Sequence, residues 1–222
     1  SFILNDLSMT AFAFVFPGQG SQAVGMLDAW GQHPAVLAVL EEASAALGQD
    51  VGRLIHEGPK EDLALTTNTQ PVMLVAGIAA YRAWLAEGGA VPAAVAGHSL
   101  GEYTALVASG VLTLAQAVPL VRLRAAAMQE AVPVGVGAMA AILGLDANTV
   151  REVCAKTMAG SSEIAEAVNF NDPGQTVIAG TKAGVEQACA ALKEAGAKRA
   201  LNLPVSAPFH SSLMRPAALK LQ

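Results

Sequence analysis

The chain has 222 residues, of which 53% are hydrophobic and 14% charged, and its formal net charge is −5. That length can bury a substantial core in one or two domains, and that apolar fraction excludes a disordered chain. The acidic balance, with no basic cluster, argues against nucleic acid as a partner, and no apolar run approaches the ~18 residues of a membrane span. No secretory signal is visible, and residues 1–9 read as an N-terminal extension with Met9 as a natural start. The two cysteines, Cys154 and Cys189, have no partner spacing and read as reduced core thiols, with no metal site. These features together suit a cytoplasmic protein.

The elements follow in chain order. Ala11 to Phe16 (AFAFVF) is an apolar strand ended by Pro17-Gly18. A helix is expected near Ser21, taking in Met26, Leu27 and Trp30, with His33-Pro34 breaking it and Ala35 to Leu47 continuing at helical spacing. Asn68-Thr69-Gln70-Pro71 opens a long buried helix to about Ala86. Val91 to Ala96 is a short apolar strand, and Glu102 to Ala108 a helix. Thr113 reads as the N-cap of a helix reaching Glu130 despite Pro119. Near-continuous apolar strands flanked by helices predict an α/β arrangement whose sheet is covered on both faces.

From residue 135 the rhythm changes. Ala138 to Leu143 is a strand, Asp146 caps a helix over Thr149 to Met158, and Ile164 to Phe170 is a second strand. Asn171-Asp172-Pro173-Gly174 marks a turn into a third strand, Thr176 to Ala179. Lys182 to Ala195 is a helix stopped by Gly196, and Ala200 to Val205 a fourth strand. The order β-α-β-β-α-β predicts a ferredoxin-like module over residues 135–205. It is inserted into, or packed against, an α/β domain of residues 10–134, to which residues 206–222 return.

Gly97-His98-Ser99-Leu100-Gly101 has the G-x-S-x-G spacing of a nucleophile elbow, in the strand–turn–helix context the motif requires. Ser99 is the candidate nucleophile and needs a base. His98 is adjacent in sequence and projects differently; His33, at a helix break, and His56, in a charged loop, read as surface residues. His210 lies in an irregular, proline-bounded segment, where a rigid scaffold would present a base, and pairing with an elbow serine favours it. The loop Phe16-Pro17-Gly18-Gln19-Gly20-Ser21-Gln22 lacks the Lys of a phosphate-binding P-loop; it fits an oxyanion hole or a plain glycine-rich turn. Arg122 and Arg124 lie two apart on an otherwise apolar helix and cannot share a face. One could bind a substrate carboxylate through its planar fork, or both could be solvated; periodicity does not choose.

FVFPGQGSQ (residues 14–22), GHSLGEY (97–103), MQEA (128–131) and VNFN with PGQ (168–171 and 173–175) closely resemble the malonyl-CoA:acyl carrier protein transacylases of bacterial type II fatty acid synthesis. They resemble, less closely, the acyltransferase domains of polyketide synthases. The resemblance runs from about Ala11 to the end. It implies an α/β-hydrolase-like core with a parallel sheet plus the ferredoxin-like subdomain, and a malonyl-serine intermediate formed from malonyl-CoA. The phosphopantetheine thiol of acyl carrier protein then takes the malonyl group from that serine. It further implies Ser99 as nucleophile, His210 as base and the N–H groups of Gln19 and Leu100 as oxyanion hole. Arg124, rather than Arg122, would pair with the malonyl carboxylate, Gln70 would line that pocket, and Phe209 beside His210 would accompany malonyl selectivity. No cofactor is implied, and a monomer is expected. Family members continue beyond the equivalent of Gln222, so a C-terminal remainder, including the group that orients the histidine, is expected to be missing. The rival readings are a serine esterase or thioesterase on the same elbow, and a non-catalytic module that docks carrier protein.

Overall fold

The computed structural model describes residues 11–205 and 207–222, so the N-terminal extension and Met9 lie outside the described residues. The chain divides into two compact units, one through Leu123 and one spanning Arg124–Gln222.

The first unit holds strands β1 (Ala13–Phe16) and β2 (Ala94–Gly97), paired in parallel from Ala13 opposite Ala94 to Phe16 opposite Gly97. Its helices are α1 (Pro34–Leu47), α2 (Val51–Glu57), α3 (Lys60–Ala64), α4 (Thr66–Ala86) and α5 (Gly101–Ala108), with the first part of α6 (Leu114–Ala131). Helix α4 is apolar nearly all round, which is why it is buried: Leu74, Val75 and Ala79 have no exposed surface, and Pro71 lies inside the helix. A methyl group on Gly77 would come within 2.8 Å of Thr104, so this glycine lets α4 approach α5.

The parallel pair departs from the expected sheet covered on both faces. Alternate side chains of a strand leave opposite faces. Phe14 and Phe16 pack with Tyr81 on one face, Phe14 meeting Tyr81 edge-on at 5.5 Å, whereas Val15 on the other face is 74% exposed. The helix expected near Ser21 is a correction too. Only a 3₁₀ turn at Asp28–Trp30 forms, because Gly20 (φ 120°) and Gly25 (φ 77°) take the backbone out of the helical region. Helices α2 and α3 were not expected, and His56 sits on α2 rather than in a loop. The signals were present: Asp50 accepts the Arg53 N–H at 2.8 Å as N-cap, and Gly58 follows the last turn. Thr113 and Gln116 cap α6 reciprocally, with Gln116 N–H donating to Thr113 Oγ1 at 3.2 Å and Thr113 N–H to Gln116 Oε1 at 3.0 Å.

The second unit contains β3 (Gly137–Leu143), α7 (Ala147–Met158), β4 (Ala165–Asp172), β5 (Gln175–Thr181), α8 (Lys182–Glu194), β6 (Arg199–Asn202) and α9 (Arg215–Lys220). Its sheet is antiparallel, in the order β4-β5-β3-β6. Asp146 caps α7 by accepting from Asn148 and Thr149 N–H groups, and the Thr149 hydroxyl foremost holds its carboxyl below the usual range. Pro173-Gly174 forms the whole β4–β5 connection, with Asp172 Oδ1 accepting the Gly174 N–H at 2.9 Å. One sheet face packs Ala140, Ile142 and Ile178 with Val150 and Cys154 of α7 and Val185, Ala188 and Leu192 of α8. The other packs Met139, Val177 and Ala179 with Ala127 and Met128 of α6 and with Phe209, Met214 and Ala217. The last strand stops at Asn202 instead of Val205, ahead of Pro204, which has no N–H to offer a ladder. Among the described residues no helix is long and apolar enough to cross a membrane.

Candidate active site

Strand β2 ends at Gly97 and α5 begins at Gly101, so Ser99 sits in the turn between them. Its φ of 51° lies in the left-handed region, which a non-glycine residue rarely adopts. Two close approaches impose that turn. A methyl group on Gly97 would meet Gly101 at 1.9 Å, and one on Gly101 would meet the Phe16 carbonyl oxygen at 2.1 Å. The turn is tied to β1 by the His98 N–H, which donates to the Phe16 carbonyl at 3.0 Å. Leu100 is fully buried at the N-terminus of α5, where backbone N–H groups have no acceptor within the helix.

The Pro17–Gln22 loop runs beside this turn. A methyl group on Gly18 would be 3.7 Å from Ser99 Cβ and 3.0 Å from the His98 carbonyl oxygen. The Gly20 N–H is taken by Gln22 Oε1 at 2.7 Å. Gln19 is held through its side chain: the Thr66 hydroxyl donates to Gln19 Oε1 at 2.7 Å, and Gln70 Nε2 donates to Thr66 Oγ1 at 3.2 Å. Gln70 has no exposed surface, and Thr66 is 5% exposed. Thr66 was absent from the candidate residues; its signal is the four-residue spacing to Gln70, which puts both on one helix face.

The remaining histidines of the first unit have structural partners. His33 Nδ1 accepts the Ala35 N–H at 3.2 Å as N-cap of α1, which leaves Nε2 as the donor to Glu87 Oε1 at 3.0 Å. His56 is bonded to Asp28. Arg122 donates to Gln49 Oε1 at 2.6 Å, its buried Nε has no hydrogen-bond partner, and burial lowers its pKa.

The second unit carries Arg124, Phe209 and His210. Arg124 is 8% exposed, the more buried of the two arginines. His210 is exposed and has a φ of 68°, a second strained non-glycine position. Its neighbours Phe209 and Ser211 are buried, Phe209 in the core formed with Met139 and Met214. Pro208 packs against Gly137 so closely that a methyl group there would stand 2.3 Å from its Cδ. The Ser211 hydroxyl donates to the Pro208 carbonyl at 2.7 Å. The structure thus brings Ser99, Leu100, Gln19 and Gln70 into one unit, and Arg124, Phe209 and His210 into the other.

A family model described as "Acyl transferase domain" matches residues 13–222. The malonyl CoA-acyl carrier protein transacylase of Escherichia coli (strain K12) is 57% identical over 214 residues, covering 96% of this chain and 69% of that protein. That of Bacillus subtilis (strain 168) is 49% identical, covering 96% and 67%. Among solved structures, an acyl-carrier-protein S-malonyltransferase from Burkholderia pseudomallei 1710b matches with a TM-score of 0.91 at 67% identity, covering 95% of this chain and 68% of that one. A malonyl-transacylase in complex with a type II polyketide synthase acyl carrier protein matches with a TM-score of 0.91 at 52% identity, covering 96% and 68%. A strained serine in a glycine-bounded turn, within a chain this similar to proteins named as malonyl CoA-acyl carrier protein transacylases over nearly all of its length, leads to one assignment: the chain belongs to the acyl transferase domain family, in its malonyl CoA-acyl carrier protein transacylase branch.

Proposed function

We propose that this chain moves a malonyl group from malonyl-CoA to the phosphopantetheine thiol of an acyl carrier protein, through a malonyl ester on Ser99. The observation that carries this reading is the left-handed turn that presents Ser99 between Gly97 and Gly101, in a chain of this family. His210 takes the Ser99 proton as Oγ attacks the thioester carbonyl. The C–S bond then breaks, and coenzyme A leaves with the proton held by the imidazolium. The carrier-protein thiol enters, gives its proton to His210 and attacks the ester, and Ser99 is regenerated. Because the acyl-enzyme separates the two halves, the kinetics are ping-pong. The N–H groups of Gln19 and Leu100 hold the oxyanion; loss of one such donor typically costs about 2.7–4 kcal/mol of barrier. The buried Arg124 pairs with the free malonyl carboxylate, Gln70 lines the same pocket, and Phe209 favours malonyl beside His210. No cofactor is required.

The same reading makes residues 10–134 and 206–222 an α/β-hydrolase-like core and residues 135–205 an inserted ferredoxin-like subdomain, in a cytoplasmic monomer. Intact-mass measurement after incubation with malonyl-CoA tests the chemistry. The chain gains one malonyl group, Ser99→Ala gains none, and added carrier protein removes the label by transfer, not hydrolysis. Release of free malonate at the same rate without carrier protein would make the chain a thioesterase instead.

A further inference from the structure

His210 holds a backbone conformation that costs free energy unless its surroundings over-determine it. On the upstream side the anchor is packing, with Phe209 in the core and Pro208 against Gly137. On the downstream side the chain enters a 3₁₀ turn, Ser212–Met214, whose N-cap residue Ser211 makes no side-chain capping bond. The Ser211 hydroxyl is turned back to the Pro208 carbonyl instead. The cap comes from another element. Glu166 of β4, 46 residues away in sequence, accepts the Ser212 N–H on Oε2 at 2.6 Å. Glu166 is itself held by the sheet, opposite Ala179 of the central strand β5.

We infer that Glu166 is a positioning residue for the reaction: its carboxylate clamps the backbone just after His210 to β4 and so fixes where the imidazole is presented. A carboxylate accepting a backbone N–H at the start of a helical turn makes a charge-assisted bond, stronger than a neutral cap. The clamp acts two residues from His210 and needs no contact with substrate. Without it, Phe209 upstream and the buried Ser211 and Met214 downstream still hold the segment, but the Ser212 N–H loses its acceptor and the backbone that carries His210 is fixed less tightly in its left-handed conformation.

The catalytic part of this inference rests on the malonyl-transfer reading, so its test carries two independent readouts. The first is the rate of Ser99 malonylation by the whole chain, followed by intact mass across malonyl-CoA concentrations. Glu166→Ala lowers the saturated rate about ten-fold or more, as expected for a misplaced catalytic group, with half-saturation shifted less than about two-fold. Glu166→Gln, whose amide oxygen accepts the same N–H, recovers most of the rate. The second is hydrogen exchange of the Ser212 amide, which requires no activity. Exchange quickens about ten-fold or more in Glu166→Ala and stays near the parent value in Glu166→Gln, as loss of one strong hydrogen bond implies. A Glu166→Ala chain that acylates Ser99 within two-fold of the parent overturns the inference, as does a Glu166→Gln chain that falls equally far, or unchanged Ser212 exchange. If the parent chain takes up no malonyl at all, the transfer reading fails, and the clamp is judged on exchange alone.

Discussion

Gly97 and Gly101 pass so close to each other that a single methyl group on Gly97 would stand 1.9 Å from the carbonyl carbon and oxygen of Gly101. Backbone atoms cannot yield as a flexible side chain does, so Gly97→Ala forces the whole turn to shift and moves Ser99 with it. The expected outcome is a melting temperature lowered by at least about 4 °C and Ser99 malonylation slowed about 100-fold or more. Gly52→Ala in α2 is the control: its nearest neighbours would lie at 3.5 Å or beyond, and it should leave stability unchanged or raised. Thermal melts and an intact-mass time course check both.

Thr66 relays between Gln70 and Gln19 through its hydroxyl, which donates to Gln19 and accepts from Gln70. Thr66→Val keeps the shape but removes one acceptor from buried Gln70 and one donor from Gln19. Urea denaturation should show a loss of about 1–3 kcal/mol, and malonylation should slow because the loop proposed to carry an oxyanion donor is no longer held. Thr66→Ser restores both hydrogen bonds and should restore most of the rate.

Arg124 separates malonyl from other acyl groups if its guanidinium meets the free carboxylate. Arg124→Ala should slow acylation from malonyl-CoA by between about ten- and a hundred-fold, the range of a lost charge-assisted pair. Acylation from acetyl-CoA should be unchanged or faster. Arg124→Lys keeps the charge without the fork and should fall between the two. Equal losses on both donors would take Arg124 out of the specificity role.

Burial pushes the Cys154 thiol from its ordinary 9.0 up to about 11. The sign follows from which state holds the proton. Above pH 9 the unfolded chain ionises this thiol while the folded chain keeps it protonated, so rising pH favours unfolding. The stability that this group contributes is complete below pH 9 and is lost as pH rises toward about 11. Denaturation midpoints measured between pH 8 and 11, with their slope reduced in Cys154→Ala, check this. At neutral pH the native thiol should resist alkylation until the chain unfolds.

What the amino-acid sequence determined by itself is everything that neighbours along the chain can settle. The elbow was legible because Gly97, Ser99 and Gly101 lie within five residues, and their steric demands act on one turn. The caps at Thr113 and Asp146 and the Pro173-Gly174 connection were legible for the same reason, since each bonds within three residues. The helix expected near Ser21 failed because glycine backbone freedom outweighed helical spacing. Tertiary structure alone decided the rest. Periodicity placed Arg122 and Arg124 on different faces but could not say which face was covered, because burial depends on what packs against α6; Arg124 is the more buried of the two. The Thr66–Gln19 and Glu166–Ser212 bonds join residues 47 and 46 apart, and no local pattern encodes a partner at that distance. The strand and helix carrying a reactive residue can be read from side-chain rhythm, but the groups that hold it in place are chosen by packing.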